Sequence, residues 1–207
     1  MSWLGGDTML HSSRELKQVD MYVYTNPGGL LGRLMGRALR FSVKDFSFYM
    51  RQKGELQRVV VAADSLVPQC EVFQDTRQER TRLGYQEAER LTRRTTKFTL
   101  EAARYPTIEF QVDKEKTRQQ TAPPKKKSSA SGNAVEELPP VVGTLSLRGE
   151  SHPIRCSRVV DGAEMIIDCP LSLSRFNIPK YKLWLGLFTV GDEVTVQTRV
   201  PVTALKL

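Results

Sequence analysis

Hydrophobic and polar residues alternate along most of this chain, and the alternation predicts β-strands. Val19, Met21 and Val23 fall on one side of a first strand, with Asp20 and Tyr22 between them. A period of two places such residues on one face of a sheet, whereas a helix would need a period near 3.6. The pattern recurs in six further segments, and Val-Val-Val-Ala-Ala at 59–63 is a continuous apolar run typical of a buried strand. The predicted strands cover residues 19–24, 39–50, 59–63, 107–112, 141–147, 154–160, 167–173 and 194–202.

Eight strands with one apolar face each predict an all-β fold, a closed eight-stranded antiparallel barrel. Asp161-Gly162 lies between two of the strands and is a strong hairpin signal. The second strand changes phase between Val43 and Phe46, and a phase change of one residue predicts a β-bulge.

One segment departs from the strand pattern and predicts the helix of the chain. Residues from about 76 to 97 are rich in Arg, Glu and Gln, and Leu83, Ala88 and Leu91 form a sparse helical stripe. Pro106 lacks a backbone donor and disfavours a helical residue before it, so the helix should end before the strand at 107–112. We expect this helix to cap the barrel.

A second segment has the composition of a flexible loop. Residues 117–138 include Pro-Pro-Lys-Lys-Lys-Ser-Ser-Ala-Ser-Gly, which cannot bury enough apolar area to offset the entropy of ordering. We interpret it as an insertion within one barrel domain, residues 18–207, because neither half of the chain completes a barrel alone. Residues 1–17 show weak periodicity and are expected to form a loose N-terminal arm or short helix.

Positive charge is concentrated in the helix and the loop. The chain has 207 residues and a net charge of +8. Residues 77–127 hold 14 Lys and Arg against 7 Asp and Glu, so this quarter of the sequence carries +7. The basic character therefore belongs to one region and not to the whole surface.

The N-terminal residues show no secretory signal, and a cytoplasmic location is predicted. Three cysteines do not make a disulfide framework. Cys156 and Cys169 lie on neighbouring strands and can face each other if the hairpin register allows. In a reducing compartment we expect them to be buried small hydrophobes, and we expect Cys70 to be a loop thiol.

The sequence offers no basis for catalysis, a metal site or a cofactor. Its two histidines, His11 and His152, lie at opposite ends of the chain. The glycines of residues 28–32 have neither the dinucleotide-binding spacing nor the Gly-Lys-Ser/Thr ending of a phosphate loop, so a turn is expected there. No nucleophile, base and orienting group can be assembled, and the chain is predicted not to be an enzyme.

Three segments together resemble the YceI-like family of lipocalin-like lipid-binding proteins. The first is the helix-to-strand junction Leu-Glu-Ala-Ala-Arg-Tyr-Pro-Thr-Ile-Glu-Phe at 100–110. The second is Gly-Thr-Leu-Ser-Leu-Arg-Gly at 143–149, which is followed by Ser-His-Pro. The third is Ser-Arg-Phe-Asn-Ile-Pro at 174–179, which precedes Val-Gly-Asp-Glu-Val at 190–194.

The sequence departs from the family pattern in three respects. Many relatives are exported, and no leader is seen here. Where some relatives have Gly-His-Asn-His, this chain has Gly-Arg-Ala-Leu at 36–39. The glycine of a Phe-Gly-Ile motif is replaced by Asn177, which tolerates unusual backbone angles less freely than glycine.

The resemblance implies that the barrel holds a long amphiphile, such as a polyisoprenoid or fatty-acyl compound, without catalysis. The alternative from pattern alone is that the same side chains simply fill the core, since eight strands permit either outcome. Similarly, the aromatic segment near Trp184 either forms a rim that closes over the apolar tail of the amphiphile or packs as a plug into the end of the barrel. The predicted lumen and rim residues are Phe41, Phe48, Phe110, Leu145, Leu147, Phe176, Ile178, Trp184, Phe188 and Val196.

A second hypothesis makes the barrel a scaffold for an interaction module. The basic helix and Lys125, Lys126 and Lys127 would then contact an acidic partner, nucleic acid or an anionic membrane. Nucleic acid is disfavoured because the basic segment lacks interleaved aromatics for base stacking. A solvated helix face and a disordered loop explain the same charges without a partner. The sequence also leaves a homodimer open.

Overall fold

The computed structural model describes residues 8–12, 19–28, 37–50, 55–119, 126–128, 134–179, 182–183 and 188–202. Within these ranges the chain forms fourteen strands of one antiparallel sheet. The strands are β1 (Thr8–Ser12), β2 (Asp20–Gly28), β3 (Ala38–Val43), β4 (Phe46–Met50), β5 (Leu56–Ala62), β6 (Leu66–Val72), β7 (Glu79–Arg82), β8 (Thr107–Val112), β9 (Lys126–Ser128), β10 (Ala134–Leu147), β11 (Glu150–Asp161), β12 (Glu164–Ser172), β13 (Lys182–Leu183) and β14 (Phe188–Pro201).

The strands are hydrogen-bonded in the order β1-β4-β5-β8-β10-β11-β12-β14-β2-β3-β6-β7, with β9 on β10 and β13 on β14. The predicted all-β antiparallel fold is confirmed. The predicted count of eight strands in a closed barrel is not confirmed, because the path through the described residues has β1 and β7 at its two ends. The count is higher because two long strands are each broken into two at a corner, and because β1, β7, β9 and β13 add four short strands.

That corner lies where a β-bulge was predicted. β3 pairs with β6, and β4 pairs with β5, so the strand partner changes at Lys44 and Asp45. Two backbone hydrogen bonds of 3.0 Å cross the corner: Lys44 N–H donates to the Ser65 carbonyl and Ala62 N–H to the Asp45 carbonyl. The phase change between Val43 and Phe46 therefore falls at an interruption of the whole hairpin, where the pairing partner changes from β6 to β5.

The helix is shorter than predicted and is followed by a second one. Helix α1 spans Tyr85–Arg94 and continues as a π-helical turn over Thr95–Thr99, and a short helix α2 spans Lys114–Gln119. The predicted start near residue 76 is wrong, because Glu79–Arg82 forms β7 against β6. No helix in the described part of the chain is long and apolar enough to cross a membrane.

Arg77, within the predicted helix, is held outside it by its backbone and its side-chain contacts. Its φ of 57° is left-handed and incompatible with a right-handed helix. The guanidinium lies 2.9 Å from Asp168 Oδ1 on β12 and stacks over the Tyr24 ring at 5.0 Å. Gln197 Nε2 on β14 donates to the same carboxylate at 2.9 Å. These contacts attach the segment before β7 to the outside of the sheet.

The predicted arm and loop contain more regular structure than expected. Thr8–Ser12, within the predicted arm, pairs with β4 as strand β1. Helix α2 and β9 fall at the edge of and within the predicted loop, and β10 already begins at Ala134. β10 is longer than its apolar run because residues 135–138 pair with β11. Residues 120–125 and 129–133 lie outside the described residues, and the division into arm and single domain stays a prediction.

Two of the three cysteines form a bond that the sequence interpretation did not expect. Cys156 and Cys169 form a disulfide between β11 and β12, with Cα atoms 4.2 Å apart. The hairpin register places them directly opposite each other. Cys70 is buried in β6, not in a loop, and burial raises the pKa of its thiol. Disulfides persist in oxidising compartments, so the pairing bears on the predicted cytoplasmic location, which stays a prediction.

The disulfide should stabilise the fold measurably. It joins residues separated by 13 positions, and a closed loop of that size is worth about 3 kcal/mol in the chain-entropy account. We expect reductant to lower the free energy of unfolding by about that amount in urea denaturation. The double variant Cys156→Ala/Cys169→Ala should be equally destabilised and insensitive to reductant. Unfolding curves that coincide with and without reductant would show that the bond contributes nothing.

Candidate functional site

One face of the sheet carries a continuous cluster of 21 buried hydrophobic residues, and we call it the core face. A further 14 apolar residues pack against the cluster while keeping part of their surface accessible. Its buried members come from β2, β3, β4, β6, β10, β11, β12 and β14, from the segment at 100–102 and from Phe176 and Ile178, and β5 and β8 contribute partly buried residues that pack against them. The cluster therefore extends across nearly the whole sheet.

The structure brings most of the predicted site residues together on this face. Eight of the ten have described side chains, and all eight belong to the cluster or pack against it. Phe110 and Val196 are partly exposed. Trp184 lies outside the described residues, and Phe188 is placed only as the first backbone position of β14. The remaining six are buried: Phe41, Phe48, Leu145, Leu147, Phe176 and Ile178.

Strand register arranges these side chains in rows across neighbouring strands. The first row runs from Phe48 through Val59, Phe110 and Leu145 to His152. Antiparallel pairing places directly opposed side chains on the same face, about 5 Å apart. This row joins five strands: β4, β5, β8, β10 and β11. The alternation along each strand predicted which of its residues lie on the core face. The cross-strand neighbours of those residues follow only from the register.

A glycine gives the Phe110 ring its place in this wall. A Cβ built at Gly143 would lie 2.5 Å from two atoms of the Phe110 ring and 2.4 Å from the Gln111 carbonyl oxygen. No real Cβ tolerates such contacts, so the ring crosses the strand where β10 has no side chain. The glycine of the Gly-Thr-Leu-Ser-Leu-Arg-Gly motif is thus a packing requirement of the core face.

The second row contains the disulfide. It runs from Phe41 through Val23 and Val196 to Cys169, whose partner Cys156 continues it on β11. Every member is apolar or a disulfide sulfur, and Cys156 is fully buried. The bond therefore lies within the wall of the core face and is not a surface staple.

The cluster ends at a set of polar contacts around the β10–β11 hairpin. His152 lies edge-on to Phe176 with ring centroids 5.1 Å apart. Asn177 has a left-handed φ of 54°, as its place in the motif suggested, and its carbonyl accepts from Arg148 at 2.9 Å. Arg148 also pairs with Glu101, so the hairpin is tied to the chain after the π-helical turn.

Arg158 is a charged member of the core face that the sequence interpretation missed. It pairs with Leu138 on β10 and Ile167 on β12, and both of these pack against the cluster. Burial lowers the pKa of its guanidinium. Its Nε donates to the Pro139 carbonyl at 2.6 Å. The signal was available in the sequence, since Arg158 has the same parity on β11 as Ile154.

A match to the YceI-like domain model over residues 37–202 decides the family. This chain belongs to the YceI-like family. The match covers all the rows described above except the parts contributed by β2, and it confirms the resemblance carried by the three sequence segments. A comparison with curated proteins finds no match.

Two solved structures are similar to this YceI-like chain. BcnA from Burkholderia cenocepacia is 17% identical, and the similarity covers 89% of this chain and 96% of that one, with a TM-score of 0.49. A polyisoprenoid binding domain from Saccharophagus degradans, implicated in plant cell wall breakdown, is 10% identical, with coverages of 87% and 91% and a TM-score of 0.48.

Two surface cavities of this YceI-like domain lie away from the predicted site. One, of about 160 Å³, lies beside Tyr24 and Arg77. The larger is a cleft of about 720 Å³ along α1. Phe98 and Tyr85, near the cleft, are strongly exposed. The described residues lining the cleft are Gln86, Glu89, Arg90, Arg93, Arg94 and Phe98.

The described residues hold no cluster of three or more His, Cys, Asp or Glu side chains that could bind a metal ion. His152, the histidine whose side chain is described, packs in the cluster, and its buried Nε2 has no hydrogen-bond partner among the described residues. The described side chains of the core face are therefore mainly apolar, and Arg158, Thr198 and His152 are polar members of its rows.

Replacing Gly143 should disturb the core face. Gly143→Ala must displace either the Phe110 ring or the Gln111 backbone, so we expect a loss of about 1–3 kcal/mol in unfolding free energy. Thr144→Ala, on the exposed face of the same strand, should cost less than about 0.5 kcal/mol. Equal stability of the two variants in urea denaturation would contradict the close packing of the ring over the glycine.

Proposed function

We propose that this YceI-like protein binds and carries or sequesters a long amphiphile, such as a polyisoprenoid or fatty-acyl lipid, without catalysis. The apolar tail would lie along the core face and the head near one end of it. The observation that carries the proposal is the continuous apolar cluster that extends across the sheet in a chain of this family. The similar domain from Saccharophagus degradans is described as polyisoprenoid binding.

We further infer that the sheet closes into a barrel around the core face. β3 and β4 are two parts of one strand bent at Lys44–Asp45, and β5 and β6 are two parts of its hairpin partner. β2 pairs with one part of the first strand, and β8 pairs with one part of the second. Counting each bent strand once gives a ring of eight: β2, β3/β4, β5/β6, β8, β10, β11, β12 and β14.

Partial exposure of apolar side chains supports a lumen with room for a ligand. A core filled by its own side chains would bury residues such as Val23, Val59 and Val196, yet each keeps accessible surface while packing against the cluster. Eight-stranded barrels are wide enough to be filled or to hold one small ligand. A tail of ten methylenes would contribute a gross ~8 kcal/mol before the costs of association.

A bulky side chain in the lumen should block the tail. In Val196→Trp the indole would project from the disulfide row into the proposed lumen, so binding of the neutral dye diphenylhexatriene should weaken at least about tenfold. Fluorescence titration measures the affinity, because the dye emits when it leaves water.

The matched control is Val202→Trp, just beyond β14, where the valine is exposed. It should bind the dye as the parent protein does. Equal binding by both folded variants would place the dye outside the lumen and contradict the proposal, as would the absence of binding by the parent.

A second candidate function is contact with an anionic membrane through α1. Lys125 lies outside the described residues, and the side chains of Lys126 and Lys127 are not described, so the predicted contact through these lysines stays a prediction. Helix α1 offers a comparable surface: Arg90 and Arg93 line the cleft beside Phe98, which is 61% exposed. Basic residues beside exposed aromatics are typical of surfaces that bind anionic interfaces.

Charge removal on α1 should release the protein from anionic vesicles. We expect the parent to cosediment with phosphatidylserine-containing vesicles at low salt, and Arg90→Gln/Arg93→Gln to bind at least about tenfold more weakly, since each basic residue near the surface is worth ~1 kcal/mol. Arg155→Gln/Arg175→Gln removes equal charge from exposed positions away from α1. Equal losses in the two double variants would indicate a general charge effect and contradict docking through the helix.

A further inference from the structure

Among the described residues, Arg158 is a cation on the core face whose guanidinium forms no ion pair. The row that contains Arg158 runs from Leu138 through Arg158, Ile167 and Thr198 to Met21. The hydroxyl of Thr198 is the one other polar group in this row. Arg158 is half-buried, and withdrawing part of a charge from water without a partner is costly, yet no carboxylate among the described residues forms an ion pair with it. Burial is the cause of the lowered pKa of its guanidinium.

The structure holds this guanidinium in place while leaving its outer nitrogens unused. The register of β10 shifts between Leu138 and Val141, and Pro139 lies in the irregular part. Its carbonyl accepts from Arg158 Nε at 2.6 Å. Nη1 and Nη2 form no hydrogen bond with any described residue. A guanidinium fixed at Nε presents the fork that matches phosphate and carboxylate oxygens.

The nearest acidic side chains do not serve as partners. Glu136 stands opposite Val160, two residues along the strand from Arg158, and forms no ion pair with it among the described contacts. Asp168 lies on β12 but with the opposite parity to Ile167, and it is bound by Arg77 and Gln197 on the outside of the sheet. The described contacts therefore leave the outer nitrogens of Arg158 without a carboxylate partner.

The core face continues from Arg158 as an apolar path. Ile154 and Cys156 follow with the same parity on β11, and His152 lies at the far end beside Phe176. Six residues of strand separate Arg158 from His152, a distance of about 20 Å. One cation at the start of an apolar path of this length fits a molecule with an anionic head and a long tail.

We propose that Arg158 binds the anionic oxygens, phosphate or carboxylate, in the head of an amphiphile whose tail lies along the core face. The proposal rests on the proposed function and adds the chemical class of the head. Nε bonded to Pro139 sets the orientation of the side chain, and Nη1 and Nη2 donate to the ligand.

The test compares lipids that differ only in the head. Geranylgeranyl phosphate and its neutral alcohol geranylgeraniol are titrated against bound diphenylhexatriene, and palmitate and hexadecanol serve as a second pair. The parent protein should prefer each anionic lipid over its neutral twin by about 10- to 100-fold, the range expected for charge-assisted hydrogen bonds.

Arg158→Met should remove this preference while leaving affinity for geranylgeraniol within about twofold. Arg158→Lys should restore only part of it, because an ammonium lacks the fork. Arg155→Met, on the exposed face of the same strand, should keep the full preference. If Arg158 has a purely structural role, Arg158→Met should weaken the binding of the anionic lipid and of the neutral lipid equally. That result would overturn the proposal.

The comparison in the parent protein needs no variant and stands even if Arg158→Met does not fold. Equal affinity of the parent protein for the anionic lipid and its neutral alcohol would overturn the proposed role of Arg158 and leave lipid binding intact. If neither the anionic lipid nor its neutral alcohol binds, the proposed lipid binding and the role of Arg158 are both overturned. Inorganic phosphate should not weaken the binding of geranylgeranyl phosphate, and competition would assign the cation to free phosphate and overturn the proposal.

Discussion

The structure depends on one bend in one hairpin. β3 and β4 run against β6 and β5 as two long strands, and both turn at the same level. The Lys44–Ser65 and Asp45–Ala62 backbone hydrogen bonds preserve the pairing across the turn. Without the bend, β2 and β8 would lie on opposite edges of a flat sheet and its apolar side chains would face water. With it, the sheet can curl until the core face is enclosed, because each arm of the hairpin contacts one end of the remaining strand order.

Alternation could predict the strands but not the bend. Val43 and Phe46 differ by an odd number of positions. A bulge and a corner both produce such a phase change in the sequence of one strand. The distinction depends on the hairpin partner, and β6 was missed because Pro68 and Gln69 interrupt its apolar pattern. β7 was assigned to the helix because its four residues are polar. Its strand conformation comes from pairing with β6, which no local propensity reveals.

The alternation of side chains along each strand was enough to predict which strand residues of the candidate site share the core face. Phe41, Leu145 and the other described residues of the predicted lumen do share the core face, because a period of two fixes the side of each strand. The disulfide and Arg158 were missed for different reasons. Cys156 and Arg158 lie on β11, whose alternation was visible, but the disulfide was not expected because a reducing compartment was assumed, and Arg158 was not assessed by its parity. The register then paired Cys156 with Cys169 and left Arg158 beside apolar neighbours.

In our proposal the protein is a container whose wall is mainly apolar, with Arg158 and His152 at the two ends of one path along β11. Its basic helix would bring the container to an anionic surface, while the disulfide secures the wall between two strands. The central claim is that the enclosed core face has room for a tail. An experimental structure of the protein incubated with geranylgeraniol tests it most directly. The account predicts continuous elongated density beside Val59, Phe110 and Val196. An interior filled by protein side chains, with no density between these residues, would contradict it.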